Sequence, residues 1–140
     1  FEWCWLLYRL HALGGLGLRH QAERLRLHAE TYGLNSATGT VVEEIHLDGR
    51  ARRQSSRLWP HTERLKANLA HFEATRDPIS ARNACQAFDV LLRDHLSTPV
   101  KGLWIERRTD TGAAVEADAP ASSLYHISLA FHELLRVSSE

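Results

Sequence analysis

Apolar residues recur at three- and four-residue spacing in five separate stretches of this 140-residue chain, and that period commits it to helices. In FEWCWLLYRLHAL, residues 1–13, Trp3, Leu6, Leu7, Leu10 and Leu13 share one face, while Glu2, Trp5 and Arg9 are neighbours on another. Gly14-Gly15-Leu16-Gly17 breaks that helix. A second is predicted from Gln21 to Tyr32, with Ala22, Leu25, Ala29 and Tyr32 inward and Gly33 as its C-cap. The third runs from Leu58 to Ala74 on a stripe of Leu58, Leu65, Leu69 and Phe72. Its Pro60 is tolerated in the first turn, and Trp59 and Glu63 lie one turn apart on a different face. After the tight connection Arg76-Asp77-Pro78, a fourth helix from Ile79 to Leu96 carries Cys85, Phe88, Leu91, Leu92 and His95. The last lies in APASSLYHISLAFHELLR, residues 119–136, where Leu124, Ile127, Phe131, Leu134 and Leu135 form the stripe. Ser122 or Ser123 is its expected N-cap, with His126 in the first turn, off the stripe on the side of Ala130.

Two intervals break the helical period. From residue 40 to 53, Val42, Glu44 and His46 alternate with Val41, Glu43 and Ile45, and Asp48-Gly49 is a turn signal, so a short hairpin is expected. Thr98 to Ala119 reads as irregular or hairpin-like around Thr109-Asp110-Thr111-Gly112. The expected architecture is all-α with short hairpin-like excursions.

Composition narrows the function classes. Seventeen basic residues balance seventeen acidic ones, which speaks against nucleic acid or an anionic membrane as partner. No apolar run is long enough to span a membrane, and no signal peptide is visible. The two cysteines, Cys4 and Cys85, both inside helical patterns, read as small core residues of a reducing compartment, so a cytoplasmic location is expected. The chain has no methionine and begins inside an amphipathic pattern, as a piece of a longer protein would.

The nine histidines include no His-x-x-x-His or His-Glu-x-x-His arrangement, so no metal site is expected. Neither a Gly-x-Ser-x-Gly elbow nor a phosphate-cradling loop is present, and no cofactor is expected. What recurs around helix starts, off the core stripes, is a polar and aromatic set: Glu2, Trp59, Glu63, His126, and Trp104 ahead of the last helix. Such a set suits a sugar, because aromatic planes stack on apolar sugar faces while acids hold hydroxyls. A neutral imidazole in a sheltered cavity also meets the need for a general base. The same residues read equally as core tryptophans, solvated helix-face charges and a surface or capping histidine.

A family resemblance changes that balance. Phe1-Glu2-Trp3-Cys4-Trp5-Leu6-Leu7 resembles the segment that follows a Pro-Gly-His in the N-acylglucosamine 2-epimerase superfamily. Arg57-Leu58-Trp59-Pro60-His61-Thr62-Glu63 resembles that family's Arg-x-Trp-Pro-Gln-x-Glu helix start. Gly102-Leu103-Trp104, then Pro120-Ala121-Ser122-Ser123-Leu124-Tyr125-His126, resemble its last loop and last inner helix. The resemblance implies the C-terminal part of a single (α/α)6-barrel domain, with residues 1–140 contributing an arc of it. It further implies a sugar isomerase or 2-epimerase that works without a metal, using two histidines for proton transfer through an enediol. By the same resemblance His126 is the second of those histidines. Glu2 would contact sugar hydroxyls, Trp59 and Trp104 would be pocket aromatics, and Glu63 would be the acid after the Trp-Pro motif. The first histidine would lie two positions upstream of Phe1, outside the chain. His61 stands where the family often has glutamine.

The motif wording is closer to the branch that isomerises mannose or mannose-6-phosphate, with N-acylglucosamine or other aldose 2-epimerisation as the alternative. Residues 1–140 alone are expected to be inactive, and an open helix ring would expose the inner faces of Trp3, Leu6 and Leu10 and promote self-association. Two other readings compete: a non-catalytic helical-repeat binding module, and an (α/α)6 glycoside hydrolase, for which Glu2 and Glu63 would be the paired acids.

Overall fold

The computed structural model describes residues 1–14, 17–115 and 118–139. Among the described residues there are five α-helices: α1 (Glu2–Ala12), α2 (Arg19–Tyr32), α3 (Leu58–Thr75), α4 (Pro78–Val90) and α5 (Ala121–Ser138). Helix α3 is the shared wall, with α1, α4 and α5 all packed along it. Its start follows from extended backbone at Arg57, Pro60 inside the first turn, and Thr62 Oγ1 donating to the Trp59 carbonyl at 2.6 Å. It ends where Arg76 turns left-handed at φ 57°, its N–H bonded to the Phe72 carbonyl. One residue later the Asp77 side chain accepts the N–H groups of Ile79 and Ser80, and Pro78 follows, which starts α4 at once.

Two apolar clusters use different sides of α3. Leu65 and Leu69 meet Ala84 and Ala87 of α4 and Ala130 and Val137 of α5, with Phe72, Phe88 and Leu134 around them. Ala67 and Ala70 meet Cys4 and Tyr8 of α1 and Ala22 of α2. The small alanines let those backbones approach closely. Helix α4 does not run α-helical to Leu96: from Leu91 to Leu96 it widens to a π-helical turn, closed by Ser97 N–H on the Leu92 carbonyl.

The first excursion is a hairpin, β1 (Glu44–Ile45) against β2 (Ala51–Arg53), turned at Asp48-Gly49 with Gly49 at φ 87°. Its expected alternation fails one step earlier, since Val41 and Val42 are both buried. The second is a three-stranded antiparallel sheet in which β4 (Arg107–Arg108) pairs with both β3 (Ser56–Arg57) and β5 (Ala114–Val115). This sheet ties the chain before α3 to the loop before α5. Gly15 and Leu16 of the helix-breaking run, and residues 116–117 of the later loop, lie outside the described residues.

The helices sit where the period places them, but several present another face inward. On α1 the buried residues are Cys4 and Tyr8, while Trp3 (68% exposed), Leu6, Leu10 and Leu13 face outward. On α2 Ala22 and Arg26 are buried, and Leu25 and Tyr32 are exposed. On α5 the buried line is Ser123, Ala130, Glu133 and Val137, with Leu124 and Leu135 outside. The cause is polar pairing at these positions: Arg26 is met by Glu23 of its own helix and by Asn68 of α3, and Glu133 by Arg136, which also reaches Glu73 of α3, so charged side chains occupy inner positions at little electrostatic cost. Cys85 is exposed rather than core, whereas burial of Cys4 pushes its thiol up to about 12. Pro120, not Ser122 or Ser123, holds the N-cap position of α5, so both serines are helical and His126 falls in the second turn. No helix among the described residues is long and apolar enough to cross a membrane.

The outward apolar row on α1 carries a consequence in solution. The 15.9 kDa chain is expected to self-associate through it, giving a larger mass by light scattering that falls when Trp3 and Leu10 are both replaced by Lys. A monomer mass for the unsubstituted chain at tens of micromolar would contradict this.

Candidate functional site

A cavity of about 360 Å³ opens between the start of α1, the end of α2, the approach to β1 and the first turns of α3. Glu2, Trp59 and Glu63 line it, with Phe1, Trp3, His28, Val41, Val42, Glu43 and Ile45. These residues converge because the N-termini of α1 and α3 end at the same side of the molecule, where α2 stops at Gly33.

Beside the cavity stands His126. Its Nδ1 lies 2.8 Å from Glu63 Oε1, and its ring is 5.5 Å from that of Trp59 between centroids, tilted by 35°. Tyr125 approaches the imidazole edge-on at 5.3 Å. A carboxylate only accepts, so Nδ1 carries the proton in this contact, and in the neutral ring Nε2 is the nitrogen that holds the lone pair. A specific carboxylate is thus the neighbour that orients the ring. Glu63 is 1% exposed and His126 20%, so the acid is sealed while the imidazole is reachable. The other oxygen, Glu63 Oε2, is buried and has no partner among the described residues.

Trp59, Glu63 and His126 thus touch, and Glu2 shares their cavity. Trp104 stands apart. It is half-buried on the loop that precedes β4, its indole N–H is buried without a partner among the described residues, and it does not line the cavity. The loop is nevertheless anchored to the site's framework: Glu106 accepts from Ser123 Oγ at 2.7 Å, in the first turn of α5, and from Arg57 Nη2 at 3.0 Å, just before α3.

Two participants escaped the sequence reading. Glu43 lines the cavity and is clamped by Arg107 at 3.1 Å, Arg53 at 3.3 Å and Ser55 at 2.8 Å. In the sequence it is one member of the alternating run before the Asp48-Gly49 turn, and nothing local distinguishes it. Lys66 places its ammonium 2.8 Å from Glu63 Oε1, and here the three-residue offset along a helix was a usable signal. His61 lies outside the cavity wall. It is buried with Nε2 2.9 Å from Ser56 Oγ and 3.4 Å from Val41 N, and its ring is 4.8 Å from the buried ring of His95. His95 Nδ1 in turn donates to the Ile105 carbonyl at 2.7 Å. Among the described residues no group of three or more His, Cys, Asp or Glu side chains is placed to hold a metal ion.

Known proteins decide the family. The profile of the N-acylglucosamine 2-epimerase (GlcNAc 2-epimerase) family matches residues 1–130. The chain belongs to that family. A mannose-6-phosphate isomerase of Rhizobium meliloti (strain 1021) is 35% identical over 137 residues, a match that covers 96% of this chain and 35% of the relative. The crystal structure of a D-mannose isomerase superposes with a TM-score of 0.87 at 20% identity, over 96% of this chain and 35% of that one. The cellobiose 2-epimerase from Spirochaeta thermophila DSM 6192 does so with a TM-score of 0.84 at 16% identity, over 98% of this chain and 37% of that one. The fold is therefore an all-α arc of the (α/α)6 barrel, and the chain spans about a third of the length of these relatives.

The buried histidine pair makes acid stability testable. Burial, and then the nearby His95, push His61 well below its ordinary value of 6.5, and burial lowers His95 as well. The unfolded chain takes up these protons near pH 6.5 while the folded chain resists, so their stability is complete above that pH and is lost as pH falls below it. Thermal unfolding followed by circular dichroism is expected to weaken from pH 7 to 5, each histidine adding a slope of up to about 1.4 kcal/mol per pH unit. His61→Gln should remove one histidine's share of that slope, and an unchanged slope would contradict the assignment.

Proposed function

We propose that residues 1–140 supply the sugar pocket and one of two proton-transfer histidines of a sugar isomerase, as part of a single (α/α)6-barrel domain. The contact of His126 Nδ1 with Glu63 Oε1 is the observation that carries this reading, because it leaves an oriented, reachable Nε2 beside a cavity of sugar size. The proton at C2 of an aldose is acidic because a carbonyl lies next to it. In this reading His126 Nε2 exchanges a proton with the enediol, and the Glu63 carboxylate stabilises the imidazolium that forms while the proton is held. Trp59 stacks on an apolar sugar face. Glu2 and Glu63 Oε2, which has no partner among the described residues, accept hydrogen bonds from sugar hydroxyls, and Trp104, which does not line the cavity, has no part in this pocket.

The substrate class we infer is mannose or mannose-6-phosphate, converted to the ketose. It rests on the 35% identity to a mannose-6-phosphate isomerase and on the motif wording. Epimerisation at C2 begins with the same proton abstraction and differs in where the proton returns, so the family name keeps it as the second reading.

The direct test is a chimera in which residues 1–140 replace the matching segment of the Rhizobium meliloti enzyme. It is expected to form ketose from mannose-6-phosphate and to exchange the C2 proton with heavy water. His126→Asn should lower both rates by about 10²–10⁴-fold, the usual worth of a positioned acid–base group. An inactive chimera, or an unchanged rate in the variant, would sink the reading, and a 2-epimer as sole product would transfer it to the epimerases. The isolated 140-residue chain is expected to show no turnover of either sugar.

A further inference from the structure

Lys66 is the largest of the fully buried side chains, 1% exposed, and belongs to neither the sugar pocket nor the proton-transfer pair described above. A sealed ammonium needs a reason to be there, since desolvating a cation is costly unless a countercharge meets it. Its surroundings supply one. Nζ lies 2.8 Å from Glu63 Oε1, the same oxygen that accepts from His126 Nδ1 at 2.8 Å, and sits 4.0 Å above the centre of the Trp5 ring. One carboxylate oxygen is thus shared between a fixed cation and an imidazole N–H, with Thr62 Oγ1 more distant at 3.5 Å, while the second oxygen of Glu63 has no partner among the described residues.

We propose that Lys66 is a positioning residue for His126: by holding Glu63 Oε1 in place and matching its charge, it selects the uncharged Nδ1–H imidazole whose Nε2 is free to take a proton. This rests on the reading of His126 as the proton-transfer group. Three features support the assignment. Lys66 and Glu63 are three residues apart on one helix, so their pairing is set by α3 itself and does not depend on a loop. Trp5 caps the ammonium from α1 and keeps water from competing for it. With Lys66 in place, Glu63 has no need of a second positive charge. With Lys66 removed, the sealed carboxylate would draw one from the ionisable group that also meets it, His126, and a charged imidazole has no lone pair with which to act as a base.

The test uses the chain labelled with ¹⁵N-histidine, with the His126 signals identified by their loss in His126→Gln. At pH 7 the ¹⁵N shifts are expected to show one protonated nitrogen, Nδ1, and one free, Nε2. In Lys66→Met they should change to a doubly protonated ring or to mixed tautomers, and Lys66→Arg should restore the original pattern. A purely structural role would lower the melting temperature of Lys66→Met but leave the His126 signals of the folded fraction as they were, and that result would overturn the proposal. Where Lys66→Met loses its helical circular dichroism, Glu63→Gln is compared with the Glu63→Gln and Lys66→Met pair, which leaves no buried charge unmatched: identical His126 signals in the two support a role exerted through Glu63, and a further change on removing Lys66 overturns it. Adding mannose to the unsubstituted chain separates this from the broader reading. A tautomer that depends on Lys66 but ignores the sugar would keep the positioning role and count against the pocket.

Discussion

Charge sealed from water has to be met by opposite charge, and α3 is where this chain meets that requirement. Glu63, Arg64 and Lys66 follow one another almost without a gap and are all buried. Glu63 and Lys66 answer each other, and Arg64 is held by both oxygens of Glu30 at 3.0 Å each, with Asn68 adding a third bond to Glu30 at 2.7 Å. Removing one member of such a pair costs about 3–5 kcal/mol, as much as emptying a large apolar position, because the survivor is left desolvated. The placement of α2 is accordingly an electrostatic matter as much as a hydrophobic one: Glu30 on α2 is held by Arg64 and Asn68 of α3, and Arg26, paired with Glu23 on its own helix, also reaches Asn68.

That balance explains where reading the sequence succeeded and where it failed. Helix positions, the Asp77-Pro78 start of α4 and the Asp48-Gly49 turn were legible, because each depends on neighbours within a few residues. The inward faces were not. A stripe of leucines marks the core only when the opposing surface is apolar, and on α1 and α5 the opposing surface carries paired polar groups that prefer Tyr8, Ser123 and Glu133 over Trp3, Leu124 and Leu135. The N-cap of α5 was misplaced for a similar reason. Ser123 has a better acceptor in the Glu106 carboxylate than in service to its own helix end.

The candidate site was legible in part. Trp59 and Glu63 were one turn apart on paper and remain so in space. The 63-residue separation between Glu63 and His126 could be closed only by the fold, and the family motifs supplied that expectation before any coordinates did. Trp104 shows the limit of motif transfer: its loop is tied to both α3 and α5 through Glu106, yet the indole itself does not reach the cavity wall. Lys66 was visible as an offset from Glu63, but its burial was not, since nothing in a charged residue's own neighbourhood announces that water will be excluded from it.

The wide turn at Leu91–Leu96 has a bearing on length variation in this part of the chain. A π-helical turn holds one residue more than an α-turn covers, so it behaves as an insertion absorbed without a loop. Excising one residue from it would let the segment run on as ordinary α-helix with the residues after the cut close to their present facing, because the wider turn had taken up the extra one. The imidazole at the end of the turn would then stay against His61 and keep its bond to the Ile105 carbonyl. Single-residue gaps among relatives should therefore be tolerated in this turn more readily than in α4 itself.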